Sequence, residues 1–209
     1  MKIRQLTIEG AYEVTPVQHS DSRGTFLEWY RFDALAAAVG HPLDLAQANL
    51  STSARDVVRG IHFADVPPGQ AKYVTCVSGS VLDVVVDIRV GSPTFGLWEA
   101  VPLDDDARQA VYLSEGLGHA FCALTEGATV AYLCSSTYRP GHEHGIDPLD
   151  PELGITWPVG TPLLSTKDAG APSLSQARAA GLLPEYAACS TYIETRRRMK
   201  DTGSSPSAD

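Results

Sequence analysis

Positive charge is in short supply: Lys and Arg together number 16 against 25 Asp and Glu, for a formal net charge of -9. Non-specific binding of polyanions draws its affinity from excess cations, so a general nucleic-acid or anionic-membrane binder is excluded. Any anionic ligand must meet a local basic pocket. Cysteine is scarce as well. Cys76, Cys122, Cys134 and Cys189 stand far apart with no C-x-x-C pair, which argues against a disulfide framework or a zinc ribbon and for reduced thiols in a cytoplasmic protein. Long apolar runs are also missing. Met1 to Ile8 carry no sustained hydrophobic stretch, and nothing approaches the ~18 apolar residues of a membrane span, so neither secretion nor membrane insertion is expected.

What is present is ordinary globular material: 209 residues, 44% hydrophobic and 20% charged, with 18 Gly and 14 Pro to supply turns. One folded domain is expected over residues 1–195. The basic run from Arg196, followed by small polar residues, predicts a disordered, solvated tail over 196–209. Period-two alternation is clearest from Val81 to Val90, where Leu82, Val84, Val86, Ile88 and Val90 share an apolar face and Val81, Asp83, Val85, Asp87 and Arg89 a mixed one. Shorter runs at 12–15, 70–77, 95–101, 110–113, 120–124 and 129–135 are separated by Gly, Pro, Asp and Ser clusters. Many short strands at such spacing predict an all-β antiparallel sandwich or barrel. Helical periodicity is confined to Phe32–Val39, closed by Gly40, and to a stripe of Leu174, Ala177 and Arg178 closed by Gly181.

Several chemistries lack their local devices. Gly116-Leu117-Gly118 begins like a dinucleotide fingerprint but has no third glycine and lies among strands, and there is neither a P-loop nor a G-x-S-x-G elbow. A metal site is not expected: the strands of interest supply one histidine each, His62 and His119, and the pair His142 and His144 falls in a Pro/Gly-flanked segment read as loop. No cofactor is called for.

What remains is a set of polar residues in strand-like settings. A lone strand histidine or tyrosine is ordinarily a packed core residue. Here they come as a group: His62 as a candidate base, Tyr132 as a candidate acid, and the cations Arg59 and Lys72, with His119 nearby in the pattern. Such a set suits proton abstraction beside a carbonyl, where an enolate must be stabilised and reprotonated.

The stretches Asp21-Ser22-Arg23-Gly24-Thr25-Phe26-Leu27-Glu28, Gln47-Ala48-Asn49, Arg59-Gly60-Ile61-His62-Phe63, Gly69-Gln70-Ala71-Lys72, Gly118-His119-Ala120-Phe121 and Leu164-Ser165-Thr166-Lys167-Asp168 resemble the dTDP-4-dehydrorhamnose 3,5-epimerase family. The similarity runs from about residue 3 to 185. The resemblance implies a cupin-type jelly-roll with a few short helices, working as a homodimer without metal or cofactor on a dTDP-4-keto-6-deoxyhexose. It implies His62 as general base with Asp168 as its dyad partner, Tyr132 as proton donor on the opposite face of the sugar, and Lys72 near the enolate oxygen. It also implies Arg23 and Arg59 on the diphosphate, Glu28 at the thymine, Phe26 among the substrate-binding residues, Gln47 and Asn49 along the nucleotide path, Tyr138 stacking near the base, and His119 in the sugar pocket with Asp83 behind it. The segment from Arg23 to Glu28 would reach the neighbouring subunit's site. Asp147-Pro148-Leu149-Asp150-Pro151 departs from the usual family pattern and resembles epimerases that make sugars for antibiotics. Whether C3 alone or both C3 and C5 are inverted stays open. A dTDP-sugar ketoisomerase and a non-catalytic nucleotide-sugar-binding jelly-roll are the alternatives.

Overall fold

The computed structural model describes the backbone of residues 1–202. Its strands are β1 Lys2–Gln5, β2 Ala11–Thr15, β3 Gln18–Asp21, β4 Gly24–Leu27, β5 Gln47–Ser53, β6 Val58–Ala64, β7 Lys72–Ser78, β8 Ser80–Val86, β9 Trp98–Asp104, β10 Ala110–Leu113, β11 Gly118–Ala123, β12 Ala128–Cys134 and β13 Glu143–Gly145. The helices are α1 Phe32–Val39, α2 Thr166–Ala169, α3 Leu174–Ala179 and α4 Tyr186–Thr202. Two antiparallel sheets carry the fold, one in the order β1-β2-β10-β7-β12-β5 and the other β13-β6-β11-β8-β9. Together they form the jelly-roll barrel. The β3–β4 hairpin forms a separate two-stranded sheet.

Three apolar clusters make this a layered structure. Between the sheets lie Val74, Cys76, Val81, Val85, Val111, Phe121 and Val130. Outside the five-stranded sheet, Val84, Val86, Ala120 and Cys122 meet Leu153, Trp157, Leu174 and Leu183 from the C-terminal third of the chain. Outside the six-stranded sheet, Tyr73, Tyr112 and Leu133 meet Leu35 and Val39 of α1. Each central strand is therefore covered on both faces, and alternation no longer separates core from solvent. On β8 the all-apolar face looks outward, whereas the mixed face, Val81, Asp83 and Val85, looks into the lumen.

The strand over 81–90 stops at Val86 because Asp87 organises a turn. Its buried carboxylate accepts from Arg89 Nε at 2.8 Å, Ser92 Oγ at 2.6 Å and Thr94 Oγ1 at 2.6 Å, which pulls the chain out of the ladder. α1 ends at Gly40 as its pattern predicts, with φ +95° and its N–H on the Ala36 carbonyl. α3 is capped at Ala180, and Gly181 follows at φ +67°.

The expected tail from Arg196 is corrected by α4, which continues to Thr202; residues 203–209 lie outside the described residues. Arg196 is buried rather than solvated, donating to Asp44 Oδ2 at 2.7 Å and to the Pro42 carbonyl at 3.1 Å. Arg197 donates to the Val39 carbonyl, where a cation suits the C-terminal end of α1. The run is amphipathic by partner, and those partners lie some 150 residues upstream. The loop reading of the histidine pair is corrected for His144, which sits in β13 and pairs with β6; His142 lies just before that strand, outside it.

Candidate active site

The lumen of the barrel is apolar towards one end and polar towards the other. Alternation delivers the polar side chains inward: Gln47, Asn49 and Ser51 from β5, Lys72 from β7, His119 from β11 and Tyr132 from β12. They line a cavity of about 270 Å³. Arg59 and His62 both line it, although they stand three apart on β6, where strict alternation sends them to opposite faces. A bulge resolves this. His119 pairs with His62 but Phe121 pairs with Arg59, so β6 spends three steps where β11 spends two. Gly60 takes up the extra residue at φ +116°, and a Cβ there would stand 2.5 Å from the His119 carbonyl oxygen and 2.7 Å from Ala120 Cβ. Only glycine fits.

His62 Nε2 lies 2.7 Å from Asp168 Oδ1. An ionised carboxylate can only accept, so Nε2 carries the proton and the Nδ1 lone pair is left for chemistry. Asp168 is itself held: Ser165 caps α2 by accepting the Asp168 N–H at 3.0 Å. Burial pushes the Asp168 carboxyl up, but the hydrogen bond and charge of His62, together with the Ser165 hydroxyl and the Gly60 N–H, outweigh it and hold the group below the usual carboxylate range. A carboxyl that ionises more readily folded than unfolded adds stability above its unfolded pKa of about 4, and that stability disappears as pH falls through the lower folded value. Chemical denaturation between pH 7 and pH 3 is expected to show this acid loss in the wild type and to show it reduced in Asp168→Asn.

A second pair repeats the arrangement. His119 Nε2 lies 2.7 Å from Asp83 Oδ2, and Asp83 is buried beneath it. The opposite wall belongs to the six-stranded sheet. Burial lowers the Lys72 ammonium below the usual lysine range, partly offset by Cys134, Glu143 and Asp83. Burial raises the Tyr132 phenol, as do Cys134 and Glu143, while Arg59 opposes them. The site therefore sets a carboxylate-oriented imidazole on one sheet against a neutral phenol and a lysine on the other. That arrangement can take a proton from one face of a small ring and return one to the other.

Arg59 donates from Nε to Ser53 Oγ at 3.0 Å and also borders a second groove with His62, Lys167 and Asp168. Tyr138, half exposed at the mouth, is fixed by its N–H on Gln47 Oε1 at 2.9 Å. Arg23, Phe26 and Glu28 do not join this cavity. Arg23 and Phe26 flank a separate surface hollow on the β3–β4 hairpin, Phe26 is 69% exposed, and Glu28 pairs with Arg31. Glu143, Ser51, Gln70 and Phe121 line the cavity without having been singled out as site residues. Glu143 was hidden in the segment read as loop, and the only signal for it was its place between His142 and His144.

The family model described as dTDP-4-dehydrorhamnose 3,5-epimerase matches residues 5–176. The chain belongs to the dTDP-4-dehydrorhamnose 3,5-epimerase family. Within this epimerase family the chain is 65% identical over 189 residues to a dTDP-4-dehydrorhamnose 3-epimerase of Streptomyces niveus, covering 90% of this chain and 91% of that one. It superposes on a Mycobacterium tuberculosis epimerase with a TM-score of 0.92 at 53% identity, covering 94% and 100%. A 3'-monoepimerase from Streptomyces bikiniensis, solved with dTDP-quinovose, matches with a TM-score of 0.90 at 52% identity, covering 92% and 98%.

Proposed function

We propose that the protein is an isomerase that inverts C3 of a dTDP-4-keto-6-deoxyhexose in deoxysugar biosynthesis of the antibiotic type. The observation that carries this reading is the His62–Asp168 pair facing Lys72 and Tyr132 across the lumen. His62 Nδ1 takes the C3 proton as the C–H bond breaks, and the electron pair moves into an enolate between C3 and C4. Lys72 stabilises the negative charge that grows on the C4 oxygen, an interaction stronger in the transition state than in the ground state. Asp168 stabilises the imidazolium that forms. Tyr132 then gives its phenolic proton to the other face of C3, and solvent restores both groups. His119, steered by Asp83, contacts the sugar.

The -9 chain holds its anionic substrate through Arg59 on the diphosphate, with Gln47, Asn49 and Tyr138 towards the nucleoside. The β3–β4 hairpin, exposed and without a further strand partner among the described residues, supports a homodimer in which the Arg23–Glu28 segment, including Phe26, completes the neighbouring subunit's site. The catalytic unit is a single domain working in the cytoplasm. Incubation with dTDP-4-keto-6-deoxyglucose in D2O, followed by NMR, tests the reading. Deuterium at C3 with an inverted product is expected, and deuterium at C5 as well extends the activity to 3,5-epimerisation. No exchange, or a ketone moved to C3, overturns it.

A further inference from the structure

The histidine pair that invited a metal reading is engaged elsewhere. Asp65, the residue after β6, offers one carboxylate oxygen to each ring: Oδ2 to His142 Nδ1 at 3.1 Å and Oδ1 to His144 Nε2 at 2.7 Å. The backbone adds a third tie, from Asp65 N–H to the His142 carbonyl at 3.0 Å. The His144 ring also lies against Phe63 of β6, with centroids 5.4 Å apart.

These ties matter because β13 is weak as a strand. It has three residues, stands at the sheet edge and pairs with β6 alone, at Glu143↔Ala64, His144↔Phe63 and Gly145↔His62. A ladder that short does not hold itself. Alternation sends the residue between the two histidines to the other face, and Glu143 accordingly lines the cavity.

We infer that Asp65 is a positioning residue: with His142 and His144 it clamps β13 to the end of β6 and so holds the Glu143 carboxylate in the cavity that Lys72 and Tyr132 also line. The consequence is electrostatic. Glu143 favours the protonated forms of both Lys72 and Tyr132. Release of β13 withdraws that influence, while Cys134 and Asp83 at Lys72, and Cys134 and Arg59 at Tyr132, keep theirs. Both groups then lose their protons at lower pH. Arg139 and Glu143 are the other charged groups in the small cleft beside the clamp.

The activity part of the test rests on the proposed epimerase chemistry; the clamp itself is read without it. Amide hydrogen exchange of the full-length protein compares wild type with Asp65→Ala, and β13 amides are expected to exchange at least about tenfold faster in the variant. The alkaline limb of kcat is expected about half a pH unit lower in Asp65→Ala and in Glu143→Gln, with no further movement in the double variant. Asp65→Asn offers its oxygen to one ring and its amide N–H to the other, which accepts in its other neutral tautomer, so both ties persist and the variant is expected within about threefold of wild-type kcat with the limb unmoved. Unchanged β13 protection in Asp65→Ala overturns the clamp. A limb that moves in Glu143→Gln but stays in place in Asp65→Ala, or that moves in neither, overturns the link to Glu143. A wild type that exchanges no sugar proton sinks the epimerase reading instead, and the amide comparison still decides the clamp.

Discussion

Replacing His62 by Gln is expected to lower deuterium exchange at C3 by about a thousandfold, within the range general-base catalysis contributes, while dTDP affinity stays within about tenfold. The imidazole has two separable tasks. Nε2 anchors to Asp168 at 2.7 Å, and a glutamine amide N–H can take over that contact, so the buried carboxylate keeps a donor. Nδ1 carries the free lone pair, and an amide offers no replacement for it. The variant therefore deletes the proposed base and spares its support. Exchange within tenfold of wild type would assign the proton abstraction to another group, with His119 the next candidate because it faces the same cavity on its own carboxylate.

In Tyr132→Phe, exchange and inversion are expected to part company. The base remains, so C3 still loses its proton and regains one from the His62 side, with deuterium entering and configuration retained. Net inversion, which needs a donor on the other wall, is expected to fall by about a hundredfold or more. The ratio of exchanged to inverted sugar, followed by NMR in D2O, measures this. Inversion that keeps pace with exchange would remove Tyr132 from the proton-donor role. Phenylalanine keeps the ring, so packing beside Val130 and Cys134 changes little.

Much of the architecture was legible because its signals are local. The alternation at Val81–Val90 predicted β8, and Phe32 to Gly40 predicted α1 with its cap. The direction of the faces was not legible: β8 is covered on both sides, and hydrophobicity alone makes the fully apolar face look like the interior. At the site, His62, Lys72, His119 and Tyr132 could be singled out as polar groups in strand-like runs. Asp168 came only through family resemblance, since it stands 106 residues from His62. The buried role of Arg196 was invisible for the same reason, its partners Pro42 and Asp44 being distant in sequence. Glu143 was missed because a three-residue strand has too few positions to show a period.

The bulge at Gly60 fixes more than a register. In the proposed binding mode, with Arg59 on the diphosphate and His62 on the carbon to be deprotonated, one four-residue span of backbone would grip both the phosphate end and the reacting end of the substrate. That span acts as a ruler. On that proposed mode it would measure the linkage between nucleotide and sugar rather than the sugar itself, and hexoses that differ in their ring substituents would present the same C–H to Nδ1. A sugar joined through one phosphate too few would be gripped with the wrong carbon at the base.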